Sequence, residues 1–105
     1  MIEKVFAVRD SKAQAFLQPF YSVSVGSAVR AFGDAANEKN SMVSKHPEDY
    51  LLYELGEFDN NTGAFKSISP IVLLGCAKDF VANPAQLQEQ DALINEVING
   101  SKKVG

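Results

Sequence analysis

His46 is the single histidine of the chain, so any Ser–His–acid relay has to be built on it. Such a relay needs a nucleophile presented on a tight strand-to-helix turn, and no G-x-S-x-G pattern occurs. His46 precedes Pro47 in the polar stretch 40–49 (NSMVSKHPED) and reads as a surface or turn residue. Two carboxylate groups offer acid–base chemistry, Glu48/Asp49 and Glu54/Glu57/Asp59. General acids and bases need desolvation to shift their pKa values. These acids have polar neighbours and read as solvated. Asp59, Asn61 and Gly63 resemble the start of a calcium loop, but the required glycine is Ala64 and the closing glutamate falls at Pro70. No phosphate-cradling glycine loop can be written anywhere. Cys76 is the only cysteine, which excludes an intramolecular disulfide and a cysteine-built zinc or iron–sulfur site within one chain. The expectation is a non-enzyme without cofactor or metal, and a thiol that packs as a small apolar group in a reducing cytoplasm.

The chain must position whatever it binds with 105 residues, enough for one core. Hydrophobic residues make up 46%, too many for disorder. A domain this size buries roughly 65% of its extended surface, leaving little room for an enclosed active site. The N-terminus mixes acids and bases without a long apolar stretch, so no signal peptide is expected. The longest apolar run, residues 71–74, is far short of a membrane span.

Residues 2–9 (IEKVFAVR) predict a strand, apolar on both faces at Val5–Val8. Residues 15–25 predict an extended segment at a sheet edge or with a bulge, because Pro19 cannot donate to a ladder. Ser27 is the expected N-cap of a helix over 28–39, with Ala28, Val29, Phe32, Ala35 and Ala36 on one stripe. Gly33 weakens that helix by roughly 1 kcal/mol and lets it approach the sheet. Pro47 suits the first position of a short helical turn, with Glu48 and Asp49 at its positive end. Residues 50–58 predict a strand with Leu51, Tyr53 and Leu55 on one face. The turn Asp59–Gly63 joins it to a strand over 64–69, and 71–77 predict a further one. Asn83, Pro84 and Gln86 start a C-terminal helix over 84–99, followed by a frayed tail; its stripe of Leu87, Ile94, Val97 and Ile98 is a candidate self-association surface. The fold class is α+β, a mainly antiparallel sheet of four to five strands with one central helix and the C-terminal helix. Residues 1–83 form the domain and 84–105 the appendage.

The net charge is −3, with a pI near 5.0, whereas wholesale polyanion binders run above about 9. Its distribution is uneven. Residues 1–47 hold six bases and four acids, residues 48–59 five acids and no base, and residues 60–105 four of each. Two opposite readings follow. In one, Arg9, Lys12, Arg30 and Lys45 share a face that touches phosphates, while exposed aromatics such as Phe16, Phe20 or Tyr21 stack on unpaired bases. Four contacts on a single strand predict a log–log salt slope of roughly −0.7 × 4, near −3. In the other, the acidic strip Glu48, Asp49, Glu54, Glu57 and Asp59 docks a basic protein partner. Against both stands the plain reading, in which these are ordinary solvated faces and most aromatics are core.

Three stretches, FAVRDSKAQAFLQPF (6–20), GSAVRAF (26–32) and above all SKHPEDYLLYELGEFDNNTGAF (44–65), carry a resemblance. Together they resemble the small nonstructural protein of gokushoviruses, a subfamily of the Microviridae, small single-stranded DNA bacteriophages. The similarity covers roughly residues 4–81. It implies an early viral protein in the host bacterial cytoplasm that binds DNA. The implied role favours single-stranded genome synthesis and packaging over further duplex synthesis. It supplies no catalytic residues. The expected partners are single-stranded DNA, or duplex, with a homo-oligomer raising avidity. The rival is an adaptor for viral replication or procapsid proteins that touches no DNA.

Overall fold

The computed structural model describes residues 1–82. The expected C-terminal helix, with Leu87, Ile94, Val97 and Ile98, lies outside the described residues. The elements are β1 (Ile2–Asp10), β2 (Ala15–Phe16), β3 (Phe20–Ser22), α1 (Val25–Asn37), α2 (Met42–Lys45), β4 (Tyr50–Asp59) and β5 (Phe65–Cys76). Short 3-10 turns at Pro47–Asp49 and Ala77–Asp79 frame the last two strands. The sheet is antiparallel throughout, in the order β2-β1-β4-β5, with β3 also paired to β1. The α+β class expected from the sequence is the one observed.

β1 is central, as its two-sided apolar run requires. Its register with β4 slips between Val5 and Phe6, so Val5 pairs with Gly56 and Phe6 with Glu54. Leu55 is the extra residue, and this bulge places Glu54 and Glu57 on the same side of the sheet. β5 slips further: Gly56 pairs with Ser67 but Glu54 with Val72, so residues 68–71 form a wide excursion that includes a cis Ser69–Pro70 bond. The two strands expected at 64–69 and 71–77 are therefore one interrupted strand.

Pro19 divides the segment expected over 15–25. The result is a two-residue and a three-residue strand, both on β1. α1 then begins one turn earlier than expected. Ser24, in extended conformation, is the N-cap, and its Oγ accepts from the Ser27 amide at 3.1 Å. Ser27 therefore fills the third helical position. Its own hydroxyl contacts that of Ser24 at 3.0 Å. Gly26, which reads as a break, is tolerated inside the first turn. Ser24→Ala is expected to cost about 1 kcal/mol, measured as a shift in the denaturation midpoint, because an orphan N–H loses its partner. Ser27→Ala should cost less.

Ala28, Phe32 and Ala36, four residues apart, are the buried stripe of α1. They pack on Phe6, Tyr50, Leu52 and Ala77, with Val8, Phe20 and Leu74 around them. Phe80 closes this core. Its ring meets Phe32 edge-on at 5.8 Å and lies over Gly33 and Gly75, so the glycine of α1 faces this ring. The Asn37 side chain clamps the same segment, donating to Phe80 O at 2.8 Å and accepting from the Ala82 amide at 2.9 Å.

Candidate functional site

In an antiparallel ladder, paired residues point to the same side of the sheet and successive residues alternate. Lys4, Phe6, Val8 and Asp10 of β1 therefore face α1, with Phe20 and Ser22 from β3 and Tyr50, Leu52, Glu54 and Glu57 from β4. The opposite side carries Glu3, Val5, Ala7 and Arg9, with Tyr21, Phe16, Leu51, Tyr53, Phe58, Phe65 and Leu73. The burial pattern agrees. Val5 and Ala7 are each only 1% exposed yet stand outside the helix-side cluster. Side chains of their own face cover them.

Two aromatic pairs do that covering. Tyr21 and Phe58 have ring centroids 5.5 Å apart, and Phe16 and Tyr53 are also 5.5 Å apart, edge to face. Each pair sits beside a small residue of β1, next to Val5 in one case and Ala7 in the other. The rings remain accessible: Tyr21 is 50% exposed and Phe16 43%. Phe65 and Leu73 are exposed farther along the same face. The pairs are about four residues apart along β1, or roughly 13 Å. Arg9 stands in the row of Phe16 and Leu51, and Glu3 lies at the far end, held by the Asn60 side chain at 3.2 Å. These two are the charged members of the face among the residues paired in its ladder.

The residues proposed for phosphate and base contact are divided between the two sides. Arg9 and Tyr21 lie on the open face. Phe20 does not: it stacks on Phe6 at 5.7 Å and belongs to the core. Arg30 is exposed on α1, and Lys45 is exposed at the end of α2, on the helix-covered side. Lys12 lines a hollow with Asp10, His46, Glu48 and Asp49, amid carboxylates. The four cations do not form one surface. What the sequence reading missed is the partnership of Phe16 and Tyr21 with Tyr53 and Phe58. The alternation Leu51/Tyr53 was its signal; the strand order, which a sequence does not print, was the missing half.

The acidic strip is divided as well. Glu48 and Asp49 lie at one end of β4 and Asp59 at the other, roughly 30 Å away. Between them Glu54 pairs with Lys4 at 3.4 Å, and Glu57 stands opposite Lys4 in the ladder. The Asn61 amide donates to Asp59 and holds its carboxyl below the usual carboxylate range, helped by the N-terminal ammonium 3.7 Å away. Burial, with the Asp10 carboxylate across the ladder, pushes the Tyr50 phenol up. His46, Glu48 and Asp49 can bring donor atoms within 4.8 Å of one another, the set that could hold a cation, and Lys12 brings a positive charge to the same hollow.

The described residues thus define a small α+β domain with one side of its sheet closed by a helix and the other lined with accessible aromatic rings. Residues 3–80 match the family described as Phage ORF5 protein, and the chain belongs to that family of phage proteins. No curated protein and no solved structure matches the chain. Among the described residues, no helix is long and apolar enough to cross a membrane.

Proposed function

We propose that this phage protein is a non-catalytic binder of single-stranded DNA that assists genome synthesis or packaging in the infected bacterium, as the gokushovirus resemblance implies. The observation that carries this reading is the pair of accessible aromatic clusters, Tyr21/Phe58 and Phe16/Tyr53, on a sheet face with Arg9 beside them. Unpaired bases stack on such rings at about 1–3 kcal/mol each, whatever the base. A duplex keeps its bases stacked on each other and offers no equivalent contact. Stacking does most of the binding here, because Arg9 is the cation in this face. The salt slope expected is then roughly −0.7, from one contact. That is a quarter of the value expected for four pooled cations.

Titration of a labelled single-stranded oligonucleotide tests this. Tyr21→Ala and Phe16→Ala should each weaken binding roughly 5- to 150-fold, the equivalent of one lost stack. Arg9→Ala should weaken it and flatten the salt slope by roughly 0.7. Arg30→Ala and Lys45→Ala, on the other side of the sheet, should leave it unchanged. Loss confined to Arg30→Ala and Lys45→Ala would contradict the assignment.

A second reading draws on the same face. Its apolar content also suits a protein surface, as in an adaptor for replication or procapsid proteins. Absence of oligonucleotide binding at low salt would favour it.

A further inference from the structure

The two edges of the sheet are built differently. On one side the outermost strands are β2 and β3, two and three residues long and separated by Pro19. Natural proteins protect exposed strand edges in this way. On the other side β5 ends the sheet over its full length, and among the described residues nothing pairs with its outer backbone. From Ser67 to Ala77 this strand has no charged side chain. Ile71, Val72 and Leu73 are 40%, 44% and 54% exposed in succession. Val72 and Leu73 point to opposite sides, because they pair with Glu54 and Tyr53. Both flanks of the edge are thus apolar and open, beside a row of unused amides and carbonyls.

We propose that the β5 edge is a homodimer interface, in which residues 71–75 of two copies pair antiparallel about a twofold axis that Leu73 faces. A strand paired with itself in this sense is self-complementary by symmetry. The charge pattern suits a second copy as occupant. The chain carries a net −3, and this segment brings two such molecules together without opposing one charge to another. The backbone hydrogen bonds supply the affinity and the flanking aliphatic residues the packing. With the axis perpendicular to the sheet, both aromatic faces lie on one side of a continuous ten-strand sheet and both α1 helices on the other. Dimerisation does not depend on DNA. If the face does bind single strands, the dimer presents two platforms to one strand and gains avidity.

Sedimentation of the full chain, wild type and Val72→Lys, tests the proposal. Wild type should sediment as a dimer. Val72→Lys should sediment as a folded monomer whose unfolding midpoint no longer depends on protein concentration, since the side chain is exposed and makes no core contact. Single cysteines at 71, 72 and 73 in a Cys76→Ser background give an independent measurement. Residues facing each other across an antiparallel pair lie about 4.5–5.5 Å apart at Cα, within disulfide range, so the position nearest the axis should oxidise to a covalent dimer. Three results overturn the proposal. One is a wild-type monomer, including one in which the amides of 71–73 resist hydrogen exchange because the chain's own tail covers them. The others are a dimer that Val72→Lys leaves intact, and failure of all three cysteines to cross-link.

Discussion

Phe6→Ala is expected to destabilise the domain by about 3–5 kcal/mol. Phe6 is completely buried, stacks on Phe20 and lies in the cluster formed with Phe32 and Leu52. Its removal leaves a void bounded by a strand ladder on one side and α1 on the other, and neither can collapse far. Domains of this kind have about 5–15 kcal/mol of stability in total. The variant should therefore unfold at a much lower urea concentration, with an unchanged dependence on denaturant. A loss below about 1 kcal/mol would mean that Phe6 is not in the core. Phe16→Ala is the internal contrast. It removes an aromatic of the same size from the open face and should cost far less stability.

Gly56→Ala is the second large effect. A Cβ at this position would collide with the Lys66 carbonyl oxygen and stand 2.9 Å from the Ser67 Cα. Both are backbone atoms of the neighbouring strand, so no side-chain rotation relieves the clash. The β4–β5 ladder has to open at the point where its register slips. Overpacking costs about 1–3 kcal/mol where side chains can yield, and the upper end or beyond is expected here. Calorimetry should show a lowered Tm, and hydrogen exchange should show the amides of 65–67 unprotected first. An alanine variant as stable as wild type would contradict the observed strand approach.

Much of the frame is legible from residue patterns. The apolar run of β1 gives a strand covered on both sides, and the spacing of Ala28, Phe32 and Ala36 gives the buried stripe of α1. The Asp59–Gly63 turn gives the β4–β5 hairpin. The details that fail are those decided between elements. Ser24 and Ser27 are both good caps, and the choice depends on where β3 delivers the chain. Leu51, Tyr53 and Leu55 share a face on paper, yet the bulge at Leu55 resets the alternation beyond it. Cations close in sequence are spread over both sides of a sheet, so Arg9 is separated from Arg30 and Lys45. Phe20 and Tyr21 differ by one residue and therefore by one face, which makes the first a core residue and the second a surface one.

The most direct measurement of the binding account is chemical-shift mapping of the full chain with a short single-stranded oligonucleotide. The resonances of Tyr21, Phe16, Tyr53, Phe58 and Arg9 should move together and saturate at a common Kd, with those of α1 and Lys45 unmoved. A duplex of the same sequence should produce much smaller shifts. Perturbations centred on Arg30 and Lys45, or none on the aromatic face at low salt, would contradict the account.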